Sequence, residues 1–418
     1  MSPFMSRKGW VWFCWTLGCT AILCLGSMAS MHGAGGGAAM TPVSSLAYRP
    51  ADPLNAIAFD HFYNLQYERS IEDFQKVRAR HPGDPFALNH LLTALMYGEL
   101  YRMGALNTGE YAQQSFLATA HRPADPRVKE QIKQLVREAE QEEEKRLSVD
   151  PNDIDALYAR GATRAQLAIY TALIERAWFS ALRNAVGARH DHERVLQLDP
   201  RYTDAKLLVG ADDYVTGSLS WGAKLAAALV GVAGNKEQGL RDLYDVANSQ
   251  GETTVDAKVA LVLFLRRERR YEDALPFLRS LIQSYPHNVL FALEEGALLR
   301  ALARNAEAEA VYRRIWDAGR EGKYDGLHYE RAALHLGDLL RSEKEYANAA
   351  AAYELVGQVE TPDPEALQQA NLYAGEMYDL QQKRDLAVRK YDAVIATNAT
   401  TPPAAIARRY LKEPYRVD

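Results

Sequence analysis

Cysteine is almost missing from this chain: the three it has, Cys14, Cys19 and Cys24, all lie near the beginning of its 418 residues. A chain cut after Ala29 holds no thiol, which excludes disulfides, thiolate metal ligands and a cysteine nucleophile. An excess of positive charge is missing too. Forty-nine Lys and Arg face 54 Asp and Glu, a formal charge of -5, so there is no basic field for gripping phosphates and nucleic acid is not an expected partner. A mean hydropathy of -0.31 excludes a multi-span membrane protein. No P-loop, GxSxG, HExxH or dinucleotide GxGxxG occurs, so no catalytic residue, cofactor or metal is assigned. His190-Asp191-His192 is the one paired-histidine cluster. Residues two apart on a helix point about 200° away from each other, so the pair does not chelate a single ion. Asp150-Pro151-Asn152-Asp153 lacks the Gly and closing Glu of a calcium loop and reads as an inter-helix turn, the class that also takes Asp84, Asp199 and Asp213.

What remains is a folded composition, 48% hydrophobic and 25% charged, behind a distinct leader. Arg7 and Lys8 precede an apolar run from Trp10 to Leu25, and Ser27 and Ala29 are the small residues of a cleavage site, so residues 1–29 read as a secretory signal. An uncleaved membrane anchor and a lipidation site at Thr16-Leu17-Gly18-Cys19 are the alternatives, and both would bring membrane contact. Losing Arg7 and Lys8 takes the formal charge from -5 to -7. The Gly/Ala/Ser-rich stretch that follows makes 30–50 a flexible tether.

Past Pro50 the chain repeats itself. Ala308, Tyr312 and Ile315 are spaced by four and then three residues, as are Ala349, Tyr353 and Val356, and Ala387, Tyr391 and Val394. Each set shares one helix face. Gly161, Gly210 and Gly296 each follow a proline by ten residues, and Gly337 and Gly375 hold the same place later. Glycine inside a helix costs ~1 kcal/mol relative to alanine, so its recurrence implies a close helix crossing. This pattern resembles the tetratricopeptide repeat, a helix pair of about 34 residues. The resemblance implies an all-α, right-handed superhelical solenoid: an N-terminal region 51–254 with insertions, a regular array 255–401, and a capping helix and tail 402–418. Between Leu92 and Ala139 the sequence reads as an insertion bearing Tyr97, Tyr101 and Tyr111. Its helix from Arg127 to Leu147 carries the run Glu138 to Lys145 as a solvated face. The stretches 154–202 and 203–254 hold 49 and 52 residues, so two central units are overlong, with lengthened helices expected. From Ser218 to Leu240 the chain also resembles a segment of the inclusion-body-clearance family of helical-repeat proteins, a likeness without catalytic content.

Function is expected from surfaces. In tetratricopeptide arrays the first helix of each unit lines a concave groove. Counting from Val255, Val289, Glu330 and Gln368, position twelve is Arg266, Arg300, Arg341 and Asp379, with Asp338 and Glu376 opposing at position nine. A ladder of guanidinium forks suits an acidic peptide. The expectation is a non-enzymatic protein-binding scaffold of the cell envelope or periplasm. The alternative is a carrier of lipid or another hydrophobic ligand, using the apolar 221–232 helix with Trp221, Leu225 and Leu229 and the tyrosine-rich insertion.

Overall fold

The starts of the first helices follow from short acidic and polar caps. Asp84 accepts from the Phe86 and Ala87 amides, Asp153 from Ala156, Asn288 from Phe291, and Asp363 from Glu365 and Ala366. These satisfy helix N–H groups that have no partner within the helix. The computed structural model describes residues 48–106, 122–219, 221, 224 and 233–417. Its helices are α1 (Leu54–Tyr63), α2 (Tyr67–Arg80), α3 (Pro85–Arg102), α4 (Pro126–Val149), α5 (Ile154–Ile169), α6 (Trp178–Leu198), α7 (Ala205–Gly217), α8 (Lys236–Ala247) and α9 (Thr254–Arg267). They continue as α10 (Tyr271–Ser284), α11 (Val289–Ala301), α12 (Asn305–Arg320), α13 (Arg331–Ser342), α14 (Tyr346–Leu355), α15 (Pro364–Leu380), α16 (Arg384–Thr397) and α17 (Pro402–Lys412). No strand occurs among the described residues.

Tight turns join the two helices of a pair, and each contains one residue in the left-handed region: Leu65, Arg269, Ala303, Lys344 and Gln382. The amide after each reaches back to close the preceding helix, as Arg304 N–H does to the Leu299 carbonyl at 2.9 Å and Lys383 N–H to Tyr378 at 2.9 Å. Within pairs, the glycine marks the crossing. A Cβ on Gly296 would enter the Tyr312 ring, one on Gly337 the Tyr353 ring, and one on Gly375 the Tyr391 ring. All three rings are fully buried. In the overlong units the ring is replaced: Gly161 meets the His192 imidazole, and Gly210 meets the Gly239 carbonyl of α8. This is helix-pair packing of tetratricopeptide type.

The chain divides into two compact units, Met1–Leu281 and Ile282–Asp418, so the division falls inside α10 rather than at 254. Helix α9 packs on α8 and α7, and so belongs with the units before it. Three further details differ from the sequence reading. The expected insertion at 92–139 is shorter, because α3 runs on to Arg102 and holds Tyr97 and Tyr101, while Tyr111 lies outside the described residues. In 154–202 the lengthened helices are present, with a π-turn at Tyr170–Ile174, whereas in 203–254 α7 and α8 have only 13 and 12 residues and most of the stretch between them lies outside the described residues. In the run Glu138 to Lys145, Glu143 is fully buried, because it falls on the stripe with Ile132, Leu135, Val136 and Ala139 that α4 turns inward.

Substituting Gly296→Ala therefore has a predictable sign. Helix propensity alone favours alanine by up to ~1 kcal/mol, whereas forcing a methyl against a packed ring costs about 1–3 kcal/mol. The variant should be less stable than the parent by denaturant unfolding, and a more stable variant would contradict the packing described.

Candidate functional site

Helices α11, α13 and α15 place Arg300, Asp338, Arg341, Glu376 and Asp379 together in the second unit. Arg300 Nη2 donates to the Asp338 carbonyl at 3.3 Å, and the Asp338 carboxylate accepts the Tyr353 hydroxyl at 2.8 Å. Arg341 Nη1 stands 3.1 Å from Glu376 and Nη2 donates to the Tyr415 hydroxyl at 3.2 Å. Its guanidinium lies over the Tyr373 and Tyr415 rings, 5.0 and 5.9 Å from their centroids. Glu376 is buried, and this pushes its pKa up to about 7 against the opposing pull of Arg341. The Asp379 side chain is only 1% exposed. It accepts from Arg384 at 2.9 and 3.1 Å, from the Tyr391 hydroxyl at 2.9 Å and from the Tyr415 amide at 2.8 Å. The segment after α17 thus folds back, with Tyr415 seated on the Arg341 rung. Tyr415 and Tyr373 were not among the candidates, because nothing in the spacing announces a tail that returns to the array. Arg266 lies in the first unit, half-buried near the end of α9.

In the first unit, the His190-Asp191-His192 cluster is structural. Asp191 is fully buried and takes ion pairs from Arg160 and Arg164, both at 2.6 Å. The His192 ring stacks on Tyr158 with centroids 4.8 Å apart, and burial pulls its pKa down to about 4. Among the described residues no group of three or more His, Cys, Asp or Glu is placed to hold a metal. Asp150, Asp153, Asp84 and Asp199 serve turns and caps, but Asp213 sits within α7 and pairs with Arg189 at 2.9 Å.

Beneath these lies a buried polar layer between α3, α4 and α5. Thr163 Oγ1 is 2.7 Å from Asn89 Oδ1 and 2.6 Å from Glu143 Oε1. A hydroxyl has one proton and cannot donate to both. Asn89 Nδ2 donates to the Ala159 carbonyl at 2.9 Å, which fixes its oxygen toward Thr163. A protonated Glu143 donating to Thr163 completes the chain, and burial raises its pKa to about 7.

Of the apolar surface expected at 221–232, Trp221 is 81% exposed. Leu225 and Leu229 lie outside the described residues. No helix among the described residues is long and apolar enough to cross a membrane. The residue that sequence reading missed is Arg49. Assigned to the flexible tether, it is instead anchored in the first unit together with Tyr48 and Pro50.

With this geometry the class of fold is a tetratricopeptide-like array of helix pairs. No family model and no curated protein matches the chain. Solved structures give distant likenesses. PilF of Pseudomonas aeruginosa is 18% identical over 60% of this chain and 97% of that one, with a TM-score of 0.36. The human IFIT1 dimer solved with m7Gppp-AAAA is 15% identical over 98% of this chain and 86% of its own, with a TM-score of 0.38. A tetratricopeptide repeat protein from Parabacteroides merdae is 13% identical over 86% and 96%, with a TM-score of 0.25. At such scores none of them bears on this chain's partner.

The Glu143 layer predicts a pH dependence. A carboxyl whose folded pKa lies above its unfolded value contributes stability below pH ~4.5 that is lost as pH rises through about 7. Glu143→Gln keeps a donor to Thr163 without a charge. From pH 5 to pH 8 the stability difference should move by up to about 3 kcal/mol in favour of E143Q. A difference that does not move with pH would show that Glu143 does not protonate in this range.

Proposed function

We propose that this is an exported, non-enzymatic scaffold of the cell envelope that binds an acidic peptide segment on the first-helix face of its second unit. The observation that carries this reading is Arg341. Its guanidinium has one nitrogen on the buried Glu376 and another on a neutral phenol, Tyr415, which a ligand carboxylate can replace with a stronger, charge-assisted partner. Arg300, one helix pair earlier and directed at the Asp338 carbonyl, supplies a second cation to the same surface. The ring of Tyr373 holds the Arg341 plane and lowers the entropy lost on binding. Export rests on the Arg7-Lys8 and Trp10–Leu25 leader.

A fluorescein-labelled hexaglutamate peptide, titrated by anisotropy, tests this. Binding should weaken as salt rises. Arg341→Glu and Arg300→Glu should each lower affinity by about tenfold or more, and Trp221→Ala should leave it unchanged. Tyr415→Ala, by removing the resident phenol, should tighten binding. Affinity indifferent to both arginine substitutions, in variants with parental circular dichroism, would contradict the reading.

A further inference from the structure

A short segment ahead of α1 makes contacts that span most of the first unit. Arg49 lies with its guanidinium carbon 4.3 Å from the Phe86 ring centroid, 5.0 Å from Tyr202 and 5.4 Å from Tyr158. Its Nε and Nη2 each donate to a different oxygen of Glu252, both at 3.1 Å, and Nη1 donates to Asp155 at 2.6 Å. The Arg49 amide adds a bond to Glu252 at 3.1 Å. These partners come from the start of α3, the start of α5, the turn before α7 and the turn before α9, up to 203 residues away in sequence. Tyr48 stacks on Phe59 of α1 at 5.1 Å, and the Tyr63 hydroxyl reaches Asp256 of α9 at 3.0 Å.

This geometry fits one kind of side chain. A planar cation can lie against three aromatic faces while offering a two-pronged edge to one carboxylate and a third nitrogen to another. A lysine ammonium has neither the plane nor the fork. Glu252 is buried while Asp155 is 46% exposed, so the cage has a closed acidic floor and an open side. Arg49 itself keeps 28% of its side chain exposed. Asp204, next to the floor, accepts from the Thr253 amide and hydroxyl, both at 2.9 Å, and adds a third acid. Emptied of Arg49, the cage would hold three acids and no cation.

We infer that the first unit carries an arginine-recognition site, with Phe86, Tyr158, Tyr202, Glu252 and Asp155 as its walls, that binds an arginine-bearing segment and holds the chain's own Tyr48-Arg49-Pro50 as its resident ligand. The site takes a segment of the same chemistry from another chain when the resident is withdrawn. It is independent of the acidic-peptide surface in the second unit, and Arg341→Glu leaves it intact.

The test uses the full chain carrying Arg49→Ala and the peptide acetyl-Tyr-Arg-Pro-amide, followed by calorimetry. The peptide should bind R49A at least tenfold more tightly than the parent. Its lysine counterpart should bind at least tenfold more weakly, and adding Glu252→Gln to R49A should cost a similar factor. No binding to R49A, equal binding to the parent, or equal binding of the lysine peptide would overturn the inference. Because Arg49→Ala also removes contacts that hold the fold, a second readout uses methylguanidinium at millimolar concentration. It should raise the melting temperature of R49A by a few degrees and leave the parent unmoved, with methylammonium inactive. Failure of methylguanidinium to raise the R49A melting temperature would equally overturn it.

Discussion

The approach of a bare helix backbone to a tyrosine ring is the contact on which this array depends. In three successive pairs of the second unit, the Cα of Gly296, Gly337 or Gly375 lies against a buried Tyr312, Tyr353 or Tyr391. The ring supplies a large apolar area, and its hydroxyl gives direction. Tyr353 donates to Asp338 and Tyr391 to Asp379, so these two closely packed pairs also orient a carboxylate on their own first helix. The same contact that sets the helix crossing therefore sets the electrostatics of the surface. Where the ring is absent, the pairs find another way to approach, through the His192 imidazole at Gly161 and backbone against backbone at Gly210 and Gly239.

Both described ends of the chain return to the first-helix layer of their own unit. Arg49 enters between acids and rings in the first, and Tyr415 sits on Arg341 and Asp379 in the second. The chemistry is complementary. The first unit offers carboxylates to a cation, while the second offers a guanidinium to an acceptor. Buried carboxylates recur in both units, as Glu143, Glu252 and Glu376, each with its pKa pushed up to about 7 by burial. Such groups are kept because hydrogen bonds or a cation satisfy them, and they make the surface specific about what may replace those partners.

The repeating features were legible because they are local. A small residue, a tyrosine and a branched residue at four-and-three spacing report a helix face, and a glycine ten residues past a proline reports a crossing. The positions Arg300, Arg341, Asp338 and Glu376 were found by counting, and the structure sets Arg300 on the Asp338 carbonyl and Arg341 on Glu376. What stayed hidden depends on distance in sequence. Arg49 reads as the end of a tether because its partners lie as many as 203 residues away. Glu143 reads as one more acid in a solvated run because burial of a single member depends on the helix packed over it.

The most direct measurement of the central contact is a stability cycle on Gly337 and Tyr353. Gly337→Ala should destabilise the parent, because the added methyl meets the ring. In a Tyr353→Ala background the same change should stabilise, because only the helix propensity of alanine remains, worth up to ~1 kcal/mol. A change of sign between the two backgrounds is what the account predicts. The same sign and size in both would contradict it, because glycine would then be doing something other than admitting the ring.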